Sequence, residues 1–382
     1  MDIYVLDEEF KDMDVLDTYD SMIWTERYSE FGDFEIVLSG SKARRLNRWT
    51  ALGIRESKRV MIVETIDEPG DGTIKYTGRS LESLMDSRVN LPANIASGAK
   101  STPVTKNDTP QNIAKFFFES VCRTNTLIPA DNLSFVAAGD LFANGNIPRP
   151  TDSVAYQYSE ESLYSAIKAV CDPFNLGFVL GRNHGSPTCR FQVYTGSDRT
   201  GWQTTYPAVI LSTELDTLED PQMITSAANY KNVAYVFAEN GSRIVYADGS
   251  DDSTAGFDRR VMFVSATDIT LPAGAELNAA LDLKGKQALA EQRFVTAFDG
   301  KIPDYNPYVY GVDYNLGDYV ERRDIRGFAS KMLVTEQIFV SDANGDRSYP
   351  TLQTLDLVTP GSWRAWSRTG VWNNATGTWS TV

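Results

Sequence analysis

The chain has 382 residues, 42% of them hydrophobic and 23% charged, values that exclude a disordered or collagen-like polymer and call for roughly two to four packed units. Its net charge of −15 disfavours wrapping around nucleic acid, because phosphate binding needs Lys and Arg patches that release counterions. Three cysteines, Cys122, Cys171 and Cys189, lack a C-x-x-C spacing, which excludes a zinc ribbon and a disulfide framework and predicts buried free thiols.

No run of eighteen apolar residues occurs, and Met1-Asp2-Ile3-Tyr4 followed by Asp7, Glu8 and Glu9 lacks the basic-then-apolar form of a signal peptide. Synthesis and folding in a cytoplasm are therefore expected. Residues 2–6, 22–28, 33–38, 51–56, 60–66 and 73–78 are strand-sized and rich in β-branched or aromatic side chains, predicting a small antiparallel barrel or sandwich. A helix is expected at 41–49, with Ser41 as its cap and Arg44, Arg45 and Arg48 on an exposed side.

Between residues 90 and 201 the texture turns to helix and strand. Asp108-Thr109-Pro110 opens a helix whose apolar positions include Ile113, Phe116, Phe117 and Val121. Ser159-Glu160-Glu161-Ser162 opens a second, with Leu163, Ile167 and Val170 three or four apart, and Asp172-Pro173 stops it. Strands at 176–180 and 190–194 flank the turn-forming segment 181–187, so this block reads as a compact α/β insertion. After Asp220-Pro221 strands return, with a hairpin expected where 232–237 and 243–247 meet through Glu239-Asn240-Gly241-Ser242. A helix is expected at 276–298, through Leu277, Leu281, Leu289 and Phe294, and strands resume over 308–357.

The two β regions resemble each other. Leu52-Gly53-Ile54 precedes an apolar strand at 60–66, and Leu316-Gly317-Asp318-Tyr319-Val320 precedes another at 332–338; each strand ends in Glu-x-Ile before a Gly-containing acidic turn. Periodicity alone leaves open both a duplication and a chance likeness of generic β sequence.

Little chemistry is written in the sequence. His184 is the sole histidine, and Asn183, Gly185 and Ser186 around it form no nucleophile elbow, so a loop role is expected. Glu160-Glu161 is the most suggestive carboxylate pair, but acids in a first helical turn also complement the helix dipole. Asp248, Asp251 and Asp252 read as a solvated loop, and Asp342-Ala343-Asn344-Gly345-Asp346 as a hairpin turn rather than a calcium loop. No catalytic, metal-binding or cofactor-binding residues are therefore expected. Trp363, Trp366, Trp372 and Trp379 stand among Ser, Thr, Gly and Asn, a stretch too poor in aliphatic residues for its own core. Docking to a partner surface and folding back as an edge strand are both open for it.

Ile23-Trp24-Thr25-Glu26-Arg27-Tyr28 followed by Gly32-Asp33-Phe34-Glu35-Ile36-Val37-Leu38 resembles the opening of minor tail proteins from siphophages of actinobacteria. Val60-Met61-Ile62-Val63-Glu64, Thr77-Gly78-Arg79-Ser80-Leu81-Glu82 and Tyr314-Asn315-Leu316-Gly317-Asp318-Tyr319-Val320 are similar to later blocks of that family. The resemblance implies the tail-hub fold, shared with baseplate hubs and the N-terminal part of tail-associated lysins: mainly β, two related small antiparallel β barrels, an α/β insertion between them and a helical insertion in the second. On this chain that plan gives a first barrel at 1–90, an α/β insertion with return strands at 91–219, a second barrel from 220–265 and 305–360, a helix-containing insertion at 266–304 and the Trp-rich segment at 361–382.

It also implies a homotrimer at the virion tail tip, in contact with the distal tail protein, the tape-measure protein and other tip proteins, with phage DNA passing through without specific binding. No room is expected after residue 357 for the hydrolase domain that some relatives carry. The competing expectations are a carboxylate-dependent cell-wall glycosidase and a carbohydrate-binding adhesin in contact with the host wall.

Overall fold

The computed structural model describes residues 1–40, 46–90, 103–158, 161–293, 295–301, 303, 307–323 and 329–354. The first seven strands are β1 (Ile3–Leu6), β2 (Asp12–Leu16), β3 (Ser21–Arg27), β4 (Asp33–Ser39), β5 (Ala51–Ile54), β6 (Val60–Asp67) and β7 (Thr73–Ser80). All six strands expected here are present. β2 is additional, an acidic edge strand exposed along most of its length, whose composition gave no apolar signal. The strands pair antiparallel in the spatial order β3-β4-β7-β6-β5-β1-β2. Period-two alternation sends Ile36, Leu38, Ile74 and Tyr76 inward, where they meet Trp24, Leu52, Met61 and Val63 in one core.

The insertion holds β8 (Val89–Asn90), β9 (Val104–Asp108), α1 (Pro110–Phe118), β10 (Val136–Ala137), β11 (Val154–Tyr158), β12 (Glu161–Ser162), α2 (Leu163–Cys171), β13 (Gly177–Gly181) and β14 (Cys189–Tyr194). α1 and α2 bury Ile113, Phe117, Phe118, Leu163, Ile167 and Val170 against β13 and β14, and this core runs on without a break into Leu6, Val60 and Ile62 of the first strands. Phe118 stacks on Phe191 with ring centroids 4.1 Å apart.

Then follow β15 (Ile210–Leu211), β16 (Glu219–Ser226), β17 (Val233–Ala238), β18 (Gly241–Tyr246), β19 (Val261–Ser265), α3 (Ala275–Glu291), β20 (Val295–Lys301), β21 (Tyr319–Arg323), β22 (Ala329–Asp342) and β23 (Gly345–Thr354). β17 and β18 form the expected hairpin around Glu239 and Asn240. With β19 they make a separate three-stranded sheet whose inner face packs on α3, so 233–265 lies in a different sheet from 319–354. Gly285 sits mid-helix because a Cβ there would come within 2.5 Å of Val245.

The remaining strands run in the order β16-β20-β23-β22-β21-β15. This repeats the first half strand for strand: β3-β4-β7-β6-β5-β1. All matched pairings are antiparallel except the short β15, which lies parallel to β21. The repeat extends to an irregularity. β6 skips a residue against β7 between Val63 and Thr65, and β22 skips one against β23 between Val334 and Glu336. The bulges align Met61-Ile62-Val63 with Met332-Leu333-Val334, one residue away from the Glu-x-Ile match suggested by sequence. Leu52-Gly53 and Leu316-Gly317 do not correspond. The former lies inside β5, whereas Leu316-Gly317 forms a turn before β21 with Gly317 at φ +86°.

The two related sets of strands are joined edge to edge. β22 is long enough to pair with β21 at its beginning and with β3 at its end, so both halves belong to one 13-stranded sheet. No strand pairing among the described residues closes either half into a barrel.

Candidate functional site: the seam between the repeats

The seam is built from β3, the bulge of β22 and the end of the insertion. Along β3, Met22, Trp24 and Glu26 point into the core, while Ile23 and Arg27 lie on the outer face. Glu26 is buried: its carboxylate accepts from Trp24 Nε1 and from Tyr310 Oη, both at 3.2 Å. Burial holds its pKa above the ordinary carboxylate value, opposed by the positive charge of Arg59.

Arg59 and Glu82 form an ion pair almost wholly out of solvent. The Arg59 guanidinium also donates to the carbonyls of Arg27 and, at 3.3 Å, Phe178, and Glu82 accepts from Leu180 N at 3.0 Å. One buried pair thus clamps the end of β3 to β13 and to the 3-10 turn Leu81–Ser87. Tyr28 completes the junction. Its amide donates to the carbonyl of Thr335, the bulged residue, at 2.8 Å, and its hydroxyl lies 3.0 and 3.1 Å from the carbonyls of Asn175 and Tyr194. Its ring lies where a Cβ on Gly317 would intrude to 2.3 Å, so only glycine fits that turn.

On the outer face Arg27 bridges the repeats, 2.6 Å from Glu336 and 2.5 Å from Asp33. Arg79 pairs with Glu64 at 2.8 Å and Lys75 with Glu35 at 2.6 Å, so this face carries alternating, paired charges. Asp318, from the Leu-Gly-Asp turn, accepts from Ser197 N and Asn315 N at 2.6 and 2.9 Å and ties the end of the insertion to the second repeat. Burial raises its pKa to about 6.

Many of these residues fall in the four family-like blocks, Trp24, Glu26, Arg27 and Tyr28 in the first, Glu64 in the second, Arg79 and Glu82 in the third and Leu316 to Val320 in the last, whereas Arg59, Lys75, Tyr310, Thr335 and Glu336 lie outside them. The buried ion pair has no sequence signal, because Arg59 and Glu82 meet only through the fold.

The sequence-selected candidates lie elsewhere. His184 packs edge-on to Tyr4, with ring centroids 4.6 Å apart, and stands 3.9 Å from Asp12, while Arg182 anchors the same loop to Asp12 at 2.5 Å. Cys122, Cys171 and Cys189 are buried and free, and burial pushes the Cys122 and Cys189 thiols up to about 12. Glu161 does not sit in a helical first turn. It belongs to β12, because Ser162 is the cap of α2 and accepts from Ser165 N at 3.1 Å. Its carboxylate accepts from Tyr156 Oη at 2.9 Å in a small cleft shared with Asp268 and Lys284, and burial lifts its pKa to about 7. Glu160, Ser41 to Arg45, Phe294 and the four terminal tryptophans, Trp363, Trp366, Trp372 and Trp379, lie outside the described residues.

Asp342 and Gly345 close a hairpin, with Arg347 on the Asp342 carboxylate at 2.6 Å. Among the described residues no group of three or more His, Cys, Asp and Glu is placed to hold a metal ion, and no helix is long and apolar enough to cross a membrane. The outer face of the small sheet exposes Phe237, Ile244 and Phe263, the two Phe rings stacked at 5.5 Å. Alternation in these strands was read as ordinary hairpin pattern and gave no hint of it.

The family model described as Siphovirus ReqiPepy6 Gp37-like protein matches residues 2–345. The chain belongs to that family. The fold of the chain is similar to those of several solved tail proteins, three of which follow. One is the 43 kDa tail protein of prophage MuSo2 from Shewanella oneidensis, with TM-score 0.53 and 13% identity, covering 93% of this chain and 98% of that one. The second is the tail protein from Neisseria meningitidis MC58, with TM-score 0.53 and 13% identity over 95% and 98%. The third is prophage tail protein gp18 from Listeria monocytogenes EGD-e, with TM-score 0.51 and 11% identity over 94% and 96%. No curated protein matches the chain in sequence.

Proposed function

We propose that this chain is a structural protein of the siphophage tail: a trimeric hub at the distal tip that joins a sixfold tube to threefold tip proteins and forms part of the DNA exit channel. One observation carries the reading, the strand-for-strand repeat of β3-β4-β7-β6-β5-β1 by β16-β20-β23-β22-β21-β15. Two like units in one chain let three copies present six similar surfaces to a tube above while keeping threefold symmetry below. In this reading the units are the two strand sets just named, the α/β insertion and the small sheet β17 to β19 with α3 face outward, and no reaction is catalysed. The partners are the distal tail protein, the tape-measure protein and other tip proteins, assembled in the host cytoplasm. A net charge of −15 suits a channel that DNA crosses without adhering. The segment with Trp363, Trp366, Trp372 and Trp379 docks on a partner.

The test is the copy number of the chain in isolated tails, for which three is expected and one or six would refute the hub. The raised pKa of Glu161 beside Asp268 favours one second reading, a cell-wall glycosidase with Glu161 as its acid. Zymography on host peptidoglycan decides between them: a cleared band from this chain that E161Q abolishes would establish the enzyme, and no clearing is expected.

A further inference from the structure

β16 ends the sheet, and no strand among the described residues pairs with its outer edge. Its counterpart in the first half is β3, whose outer edge is filled: Glu336, Gln337 and Ile338, just beyond the β22 bulge, lie opposite Arg27, Glu26 and Thr25. The counterpart of that β22 segment is Thr65, Ile66 and Asp67, just beyond the β6 bulge, which pairs with β7 on one side and with no strand of the described residues on the other. The chain therefore carries one filled copy of a junction and both unfilled halves of a second copy. An open edge and an open hairpin with matching geometry are the ingredients of β-augmentation.

The registers fix how the halves would meet. Asp33 lies opposite Arg79, and Ala297 opposite Gln353, which places Thr25 of β3 in correspondence with Ile224 of β16 through their partners Asp33 and Ala297. We propose that the outer edge of β16 receives the β6–β7 hairpin of a second copy of this chain, antiparallel, with Thr65 opposite Ser226, Ile66 opposite Thr225 and Asp67 opposite Ile224. Thr65 and Ser226 are both exposed in the single chain. They occupy the positions that Glu336 and Arg27 fill as an ion pair within the chain, so a hydroxyl pair replaces a charged one. Each copy donates one hairpin and accepts one, a head-to-tail contact that closes into a ring when the rotation per copy allows. The inference rests on the hub reading for the presence of neighbouring copies and adds which strands join them and in what register.

Paired cysteines test it in assembled tails. T65C/S226C should give disulfide-linked trimers on non-reducing gels under mild oxidation, because opposed residues in an antiparallel pair bring their Cβ atoms within roughly 4.5–5.5 Å. I66C/S226C should give at least tenfold less, because a shift of one residue turns the side chain to the other face. Equal linking by both pairs, or linking by neither in tails that contain three copies of each variant, overturns the proposed register and leaves the hub standing. A single copy per tail overturns the hub itself.

Discussion

Arg59 and Glu82 are buried where three parts of the molecule meet, and each leaves the other uncompensated if it is lost. Glu82→Ala should cost about 3–5 kcal/mol, and R59M/E82L should recover most of that loss, because well-packed apolar side chains often replace a buried ion pair without penalty. Urea unfolding of the single and double variants measures this; equal losses in both would show that packing, not charge, dominates the site. Glu161 makes a different prediction. Unfolded it titrates near 4.5, and folded at about 7, because burial disfavours its carboxylate. Between those values the folded chain binds more protons than the unfolded one, so stability falls as pH rises from about 4.5 to 7 and then levels. Asp318, raised from 3.8 to about 6, acts in the same direction over a lower window. Urea midpoints at pH 5 and pH 8 should differ less in E161Q than in the parent chain; an unchanged difference would mean that Glu161 does not titrate in this range. Neither residue was marked by local pattern for these roles, since burial of a charge is decided by strands far apart in the chain.

At the scale of elements, β22 does what a shorter strand could not. Its first part belongs to the second repeat, its last part pairs with β3, and the bulge at Thr335 turns one pairing into the other. α3 shows how close approach overrides propensity. Gly285→Ala improves intrinsic helicity, yet the added methyl meets Val245 and Val236, branched side chains with little freedom to give way. A net loss of about 1–3 kcal/mol is expected from thermal or urea unfolding, and a stabilised variant would contradict the packing described here. Strand and helix positions were legible because alternation and caps are local signals: β3, β4, β6, α1 and α2 fall where Trp24, Phe34, Val60, Pro110 and Leu163 announce them. β2 was not legible, being acidic and exposed, and β12 was read as helix because Glu161 and Ser162 look alike as cap and first turn until the cap hydrogen bond is seen. Of the helix expected at 41–49 only 46–49 is described, and that part is not helical: Trp49 has φ +72° and ends a turn.

The whole molecule depends on duplication, and here sequence carried the idea but not the alignment. Glu64 and Glu336 drew attention as matching residues, whereas the paired strands equate Glu64 with Thr335. Few identities survive because each repeat needs only alternating apolar residues and one bulge, conditions that many sequences meet. The partition of strands is hidden for the same reason: β17 to β19 carry the alternation of barrel strands, yet they pair with one another because α3 covers their inner face. In the proposed hub, two like units in one chain let three copies make a ring of six. Electron cryomicroscopy of the isolated tail tip tests this most directly. Three copies should trace a closed ring of six related strand sets, with the two kinds of seam alternating around it. A ring of six copies, or one in which the two halves of each chain occupy unrelated positions, would contradict it.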